Sequence, residues 1–201
     1  LVVRPSSSLA KGKSFVVVVT YGGTTGQPED ATGALYGWVS FDDGAFVANE
    51  PDGASTWYPV NDILTDKATY SFTITVPDGT TAVANGDLVD QVSEGGRTTF
   101  HWVSTDAIAS YLSMAASGNY TLSSEVTSGG VTILNAVDDD FDAATQQEIA
   151  DVMALQPEMI EFFESHFGPY PFASFGAVVD DDEDAGYALE NQTRPIYALD
   201  R

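Results

Sequence analysis

The sequence predicts a mainly β protein whose last third changes to mixed α and β structure. Short β-branched and aromatic runs alternate with polar residues up to about residue 134, and turn residues separate them. Apolar residues then recur at helical spacing between Phe141 and Phe167. Strands at this spacing, without helices between them, indicate antiparallel sheets. We therefore predict an antiparallel β domain over residues 1–136 and an α+β region over residues 137–201.

The clearest predicted strand is the segment from Tyr70 to Val76. Its apolar residues occupy every second position, with Ser and Thr between them, which is the pattern of a half-buried strand. The sequence Pro77-Asp78-Gly79 then closes the strand as a turn. Two other runs have the same character and are also predicted to be strands, Thr98–Val103 and Tyr120–Val126. Phe15–Val19 is a β-branched run too short for a helix and is predicted to be a strand as well.

The α+β region is predicted to begin with two helices or one kinked helix. Pro157 interrupts the helical pattern, so it is expected in the first turn of a second helix. Gly168-Pro169 then stops that helix. Three later segments are predicted to be a strand, a solvated acidic loop and an extended segment, respectively: Phe175–Val179, Asp180–Asp184 and Ala188–Tyr197.

The composition restricts the function. Thirty acidic residues against seven basic ones give a formal charge of −23, and such a surface repels nucleic-acid phosphates and anionic lipid. We therefore expect no nucleic-acid partner. The apolar runs are far shorter than the ~20 residues of a spanning helix, so no membrane span is expected. The absence of cysteine excludes disulfides and thiolate ligands.

Three segments together resemble the M1 family of zinc metallo-aminopeptidases, most closely its bacterial branch typical of actinomycetes. The first runs from Glu50 through Trp57-Tyr58-Pro59 to Asp62 and continues into Lys67-Ala68-Thr69-Tyr70. The second is the helix stop Phe167-Gly168-Pro169-Tyr170-Pro171-Phe172. The third is Gly186-Tyr187-Ala188-Leu189-Glu190-Asn191-Gln192-Thr193, a variant of the family's Gly-Ala-Met-Glu-Asn exopeptidase motif. The segments occur in the family's order.

The resemblance implies a saddle-like β domain, incomplete at its start, followed by the beginning of a thermolysin-like catalytic domain. It implies peptide substrates with a free N-terminus, whose α-ammonium group Glu190 and Glu50 would bind. Ala188, Leu189 and Asn191 would complete the substrate-binding residues. The family's His-Glu-x-x-His zinc motif is expected downstream of Arg201, so the full-length protein would use zinc. The chain alone is expected to bind no zinc and to be inactive.

The residues themselves do not form a zinc-ligand pattern. The two histidines, His101 and His166, are far apart in the sequence and fall in different predicted elements, whereas a zinc site needs three or four adjacent ligands. We interpret His166 as a residue at a helix C-terminus and His101 as a surface or packing residue. The acidic run Asp180–Asp184 lacks the ligand spacing of an EF-hand loop, and no metal site is assigned to it.

Two other classes of function remain alternatives. An antiparallel β domain with an acidic, aromatic-rich sequence also suits an extracellular β-sandwich binding or adhesion module. A glycosidase that uses paired carboxylates is the other. Neither needs the Glu190-Asn191 pair of the exopeptidase motif, which favours the peptidase. The apolar face predicted for the helices could also mediate self-association of the chain.

Overall fold

The computed structural model describes residues 2–26, 36–182 and 188–199. In this part of the chain there are thirteen strands in three sheets, and two α-helices. The strands are β1 (Gly37–Ser40), β2 (Ala45–Ala48), β3 (Ala68–Pro77), β4 (Thr81–Ala84), β5 (Asp87–Glu94), β6 (Arg97–Ile108), β7 (Ala115–Gly118), β8 (Tyr120–Val126), β9 (Thr132–Asp138), β10 (Ser174–Phe175), β11 (Val178–Asp180), β12 (Ala188–Leu189) and β13 (Ile196–Ala198). The helices are α1 (Ala143–Met153) and α2 (Gln156–Phe167). The predicted class, β sheets followed by a mixed α and β region, is confirmed.

Two sheets are wholly antiparallel. One has the strand order β1-β2-β7-β4, and the other has the order β3-β6-β5. The predicted strand from Tyr70 to Val76 lies in β3, which pairs with β6 as far as Pro77 opposite Arg97. The predicted turn follows, with Gly79 at a φ of 94°. The predicted strands at Thr98–Val103 and Tyr120–Val126 are confirmed as part of β6 and as β8.

The predicted strand at Phe15–Val19 is wrong. The segment has no regular secondary structure, and its five side chains are 37–88% exposed. A strand is stable only when its backbone pairs with a neighbour, and no described residue pairs with this segment. The nearby Tyr21 hydroxyl still donates to the Trp57 carbonyl oxygen at 2.9 Å, so the segment contacts the rest of the chain at its end.

The two helices follow the predicted pattern. The side chain of Asp142 accepts a hydrogen bond from the Thr145 backbone N–H at 2.8 Å and caps α1. Pro157 lies in the first turn of α2, as predicted, and Gly168 ends α2 with a φ of 92°. His166 lies in the last turn of α2, as predicted. One side of α2 carries exposed aromatic rings, of which Phe167 is 83% exposed; self-association through this side stays a prediction.

The third sheet is mixed. Its order is β10-β9-β11-β13-β12, and β8 pairs with β9. Strands β9, β10, β11 and β13 form the parallel pairs, whereas β8–β9 and β12–β13 are antiparallel. The predicted domain boundary at residue 136 falls inside β9. One buried cluster contains Phe46, Trp102, Leu134, Val178 and Ile196, and so joins all three sheets. The division into two domains stays a prediction.

Two predicted extended segments are interrupted. Phe175–Val179 is divided between β10 and β11 at Gly176, which has a φ of 148°. Ala188–Tyr197 is divided between β12 and β13 by a turn in which Thr193 has a φ of 62°. A left-handed residue cannot continue a strand. No helix in the described part of the chain is long and apolar enough to cross a membrane.

Candidate functional site

Glu50 lies in an exposed turn that a buried asparagine holds in place. Asn49 is fully buried at the end of β2. Its Nδ2 donates to the Ser113 carbonyl oxygen at 2.6 Å, and its Oδ1 accepts from Trp57 Nε1 at 3.2 Å. The Gly53 backbone N–H donates to the Asn49 carbonyl oxygen at 2.7 Å. The Glu50 backbone is therefore fixed, while its side chain is exposed to solvent.

The segment after Glu50 packs against the same support. Trp57 contacts Tyr58 with ring centroids 4.5 Å apart. The Tyr58 hydroxyl lies 3.2 Å from Ser113 Oγ and 3.0 Å from the Tyr70 hydroxyl. Burial raises the pKa of Tyr58 well above its usual value, so it stays neutral. This network of aromatic and hydroxyl groups holds the Glu50–Asp62 segment against residues 110–113.

Glu190 directly follows the strand at the end of the mixed sheet. Ala188 and Leu189 form β12 and pair with Tyr197 and Ile196 of β13. Leu189 is buried, while Ala188 and Glu190 are exposed. In the described chain β12 pairs on one side only, so its other edge is open for backbone hydrogen bonds.

Asn191 turns the chain after Glu190. Its backbone N–H donates to the Leu189 carbonyl oxygen at 2.9 Å, and its carbonyl oxygen accepts from the Arg194 N–H at 3.1 Å. Its side chain is only 2% exposed, and neither Nδ2 nor Oδ1 has a hydrogen-bond partner among the described residues. A buried amide without partners is costly, so this side chain is one of the polar groups at the site that the described fold does not satisfy.

Asn85 connects the supports of the two glutamates. It follows β4, and its Oδ1 accepts from the Met114 backbone N–H at 2.6 Å. Its Nδ2 donates to the carbonyl oxygens of Leu112, at 2.9 Å, and of Gln192, at 2.7 Å. The segment from Leu112 to Met114 also includes Ser113, which holds Asn49. One short segment therefore bonds directly to the Glu50 turn and, through Asn85, to the Glu190 turn.

Arg194 connects the Glu190 turn to neighbouring backbone segments. Its guanidinium is fully buried, donates to the carbonyl oxygens of Gly86, at 2.9 Å, and Phe175, at 3.1 Å, and also donates to that of Leu134. It lies 5.6 Å from the ring centroid of Trp102. Burial lowers the pKa of Arg194 to about 10, so it remains a cation at neutral pH.

Gly176 makes room for this arginine. A Cβ atom at Gly176 would lie closer than 3.0 Å to both the Leu134 carbonyl oxygen and Arg194 Nη1. Gly176 lies between the end of β10 and the start of β11, and Leu134 of β9 lies in the corresponding gap in strand pairing. Arg194 supplies the donor for Leu134 there, and Asn135 Oδ1 accepts from the Ala177 N–H at 2.9 Å. Side chains thus replace the missing ladder bonds.

The histidines do not form a zinc site. His101 Nδ1 contacts Asp90 Oδ1 on a half-exposed strand, and His166 Nδ1 lies 2.8 Å from Ser165 Oγ at the end of α2. Among the described residues, the groups with metal-like spacing consist of aspartates alone. A catalytic zinc ion takes three protein ligands, usually with histidine among them. The residues described here do not fit zinc, and no chemical step through zinc follows from them.

The acidic segment that begins at Asp180 is not a solvated loop where the structure describes it. Asp180 is the last residue of β11 and is fully buried, and Asp181 is 5% exposed. The prediction of a solvated loop is therefore wrong for these two residues. Asp180 pairs with Ala198 of β13 and so belongs to the sheet, and Asp181 follows it directly. Glu183 and Asp184 lie outside the described residues, as do Gly186 and Tyr187 of the third resembling segment.

Solved structures of M1 zinc metallopeptidases share this arrangement of sheets and helices. One from Deinococcus radiodurans, a point mutant bound to a Tyr-Ser-Ala substrate, superposes with a TM-score of 0.77 over 88% of this chain, at 22% identity. The chain has the fold of the M1 zinc metallopeptidases. A two-domain M1 mutant bound to L-arginine matches with a TM-score of 0.74 over 86% of the chain, at 22% identity.

The M1 fold is shared over only part of these proteins. The chain spans about 40% of the length of each of the two solved structures. A third M1 structure, a mutant bound to L-tryptophan, also matches over 40% of its length, with 20% identity and a TM-score of 0.74. No family model and no curated protein matches the sequence. The likeness therefore lies in the fold, and the activity of the whole protein is a proposal.

The structure brings some of the predicted site residues together and leaves others apart. Ala188, Leu189, Glu190 and Asn191 are consecutive on one edge, whereas Glu50 comes from a different sheet. Their connection depends on residues that the sequence reading missed, namely Asn49, Asn85, Ser113 and Arg194. The dipeptide Asn85-Gly86 is typical of a turn between two strands, and this is the feature of the sequence that could have indicated Asn85. Nothing in that dipeptide indicates its bond to Gln192.

Proposed function

We propose that this chain supplies the amine-binding part of a zinc-dependent aminopeptidase that removes N-terminal residues from peptides. The observation that carries the proposal is the shared support of the two glutamates. The exposed Glu50 turn and the exposed Glu190 turn both attach to the segment from Leu112 to Met114, the first through Asn49 and the second through Asn85. The M1 fold and the peptide bound to a protein of that fold support it further.

The two carboxylates would recognise the charge that distinguishes a peptide end from an internal peptide bond. A free α-amine is protonated at neutral pH and offers three N–H donors. Carboxylates that are fixed before binding accept such charge-assisted hydrogen bonds strongly. An internal amide carries no charge and would leave the carboxylates unpaired. Glu190 and Glu50 would therefore select substrates with a free N-terminus.

The open edge of β12 would align the peptide backbone. An extended peptide can add to a sheet edge by main-chain hydrogen bonds. Ala188 and Leu189 offer such an edge directly before Glu190, so a peptide paired there would bring its N-terminus to that carboxylate. Asn191 maintains the turn through its backbone bonds, and its buried side-chain amide is available to a further polar group.

Peptide hydrolysis in such an enzyme would depend on zinc ligands outside the described residues. Zinc, when bound, polarises the scissile carbonyl group and activates water. This chain's residues would bind and orient the substrate. We expect the isolated 201-residue chain to show no turnover of aminoacyl-nitroanilide substrates with zinc added. This expectation would be contradicted if a preparation of the chain that is free of other peptidases released nitroaniline in a zinc-dependent manner.

Binding of a peptide amine is the direct test of the two glutamates. Calorimetry would compare a tripeptide that has a free amine with the same tripeptide N-acetylated. We expect the free-amine peptide to bind and the acetylated one to bind at least about tenfold more weakly. Glu190→Gln should weaken binding of the free-amine peptide by about tenfold or more, and Glu50→Gln by a similar or smaller factor, since each removes one charge-assisted acceptor.

The control for this test is Glu94→Gln. Glu94 is an exposed acid in β5, far from either turn along the chain, and its removal changes the net charge by the same amount. It should leave peptide binding unchanged. Equal weakening by all three variants would mean that the overall negative charge attracts the peptide. Unchanged binding in both Glu190→Gln and Glu50→Gln would refute the claim that these two glutamates bind the peptide amine. A binding module would then be the better assignment.

A further inference from the structure

Five aspartates from three separate segments meet at one edge of the mixed sheet. Asp138 is the last residue of β9 and Asp180 the last residue of β11. These strands are parallel neighbours, with Val179 opposite Val137, so their carboxyl ends lie side by side. Asp140 lies two positions after Asp138, Asp181 directly follows Asp180, and Asp43 comes from the turn between β1 and β2. We call these five residues the aspartate cluster.

The spacing of the aspartate cluster matches a cation's coordination shell. Asp43, Asp138 and Asp140 each offer a carboxylate oxygen within 4.8 Å of the others, and so do Asp138, Asp180 and Asp181. Calcium binds oxygen ligands at about 2.3–2.6 Å, so ligands on opposite sides of the ion lie about 4.8 Å apart. Asp138 belongs to both groups and is therefore the centre of the cluster.

The burial of Asp138 supplies an independent sign of a missing partner. Asp138 has no exposed surface. Its Oδ1 accepts from the Asp140 backbone N–H at 2.7 Å, but its Oδ2, which is also buried, has no donor among the described residues. Oδ2 of Asp43 is likewise buried without a donor there. A buried carboxylate oxygen with no partner is strongly unfavourable, and a cation bound between these oxygens would satisfy both.

The charges around Asp138 have the same sign. Burial, and to a smaller extent the carboxylates of Asp181, Asp180 and Asp43, together raise the pKa of Asp138 to about 7, against the lowering effect of the hydrogen bond from the Asp140 N–H. Burial also raises the pKa of Asp180, to about 6, although the Tyr120 hydroxyl donates to it. The acid groups therefore repel one another, which a bound cation would reverse.

We propose that the aspartate cluster binds a divalent cation, calcium by preference, through Asp138 with Asp43 and Asp140 on one side and Asp180 and Asp181 on the other. Calcium accepts many carboxylate ligands in irregular geometry, whereas magnesium retains several waters and needs a regular octahedron. Zinc prefers nitrogen and sulfur ligands, which the cluster does not contain. The ion would join the β1–β2 turn to the ends of β9 and β11 and stabilise the junction between the antiparallel and mixed sheets.

The test uses the 201-residue chain after removal of metals with a chelator. Calorimetric titration with calcium chloride, and separately with magnesium chloride, is run in about 0.15 M potassium chloride to screen non-specific attraction to the acidic surface. We expect saturable calcium binding near one equivalent and weaker magnesium binding. Calcium at a hundredfold excess over Kd should raise Tm by about 5–10 °C. Absence of saturable calcium binding to the folded chain would overturn the proposal.

Three variants locate the site. Asp138→Asn keeps the shape of the side chain and removes its charge, and it should lower calcium affinity at least about a hundredfold. Asp43→Asn, in a half-exposed turn where folding is less at risk, should lower it about tenfold or more. Asp139→Asn is the matched control, because Asp139 lies between two cluster residues but is exposed and belongs to neither group. It should bind calcium as the wild type does. Equal affinity in all three variants and the wild type would contradict the assignment.

Terbium luminescence gives a second readout of position. Terbium is a calcium analogue whose emission is sensitised by a nearby tyrosine, and the Tyr120 hydroxyl bonds directly to Asp180. We expect sensitised emission that calcium displaces, with strong loss of the emission in Asp138→Asn. Emission that persists unchanged in Asp138→Asn and Asp43→Asn would place the ion elsewhere on the acidic surface and overturn the proposal.

Discussion

Replacing Arg194 by methionine is expected to lower the free energy of unfolding by about 3–5 kcal/mol. The guanidinium donates to the carbonyl oxygens of Gly86, Leu134 and Phe175 in a fully buried position. Methionine fills a similar volume but donates to none of them, so two buried acceptors, on Gly86 and Leu134, and a partly buried one on Phe175 lose a partner. Urea denaturation followed by circular dichroism would measure the change. The Glu190 turn should also loosen, because Arg194 links it to Gly86.

Two further variants make the Arg194 result interpretable. Arg194→Lys retains the charge but replaces the planar fork with a single ammonium group, so it should recover only part of the lost stability. Arg97→Met is the matched control, because Arg97 Nη2 donates to the Thr75 carbonyl oxygen at 2.8 Å in an exposed position. Its cost should be within about 0.5 kcal/mol. A loss below about 1 kcal/mol for Arg194→Met would show that the three carbonyl oxygens find other donors.

The substitution Gly176→Ala is expected to cost about 3 kcal/mol or more. Two effects combine, since the φ of 148° is strained for alanine and the added Cβ would overlap the Leu134 carbonyl oxygen and Arg194 Nη1. The same urea denaturation would measure it. Because Gly176 and Arg194 share this contact, the double variant Gly176→Ala with Arg194→Met should cost less than the sum of the two single variants.

The control for Gly176 is Gly79→Ala. Gly79 has a φ of 94°, and a Cβ atom there would meet nothing within 4 Å, so it isolates backbone strain from steric overlap. Its cost should be about 1 kcal/mol. If Gly176→Ala cost no more than Gly79→Ala, the close approach of Arg194 to the Gly176 backbone would be wrong.

The parts of the fold that local pattern decides could be predicted from the sequence. The alternation from Tyr70 to Val76 and the place of Pro157 in α2 both depend on residues a few positions apart. Phe15–Val19 is a β-branched run that also predicts a strand, but no described strand pairs with it, and a local pattern does not show whether a pairing partner exists. The burial of Asp180 also depends on strand pairing and not on local sequence. Asp180 is buried because β11 lies between two parallel neighbours, β9 and β13.

The candidate site could be predicted only in part. The sequence indicates Glu50 and Glu190 only because their segments resemble a family, and both side chains are exposed to solvent. The residues that hold them act over long distances in the sequence. Asn85 bonds to Gln192 across 107 positions, and Arg194 bonds to Gly86 across 108. A buried arginine bound to backbone carbonyls leaves no sequence pattern, since its partners are main-chain atoms of any residue type.

The central claim is that Glu50 and Glu190 bind one peptide amine together. The most direct test is an NMR titration of the isotope-labelled chain with a free-amine tripeptide. We expect the backbone amide signals of Asn49 and Glu50 to shift together with those of residues 188–191, along one saturation curve, and the N-acetylated tripeptide to leave both groups unmoved. Shifts at only one of the two turns, or equal shifts with the acetylated peptide, would contradict the claim.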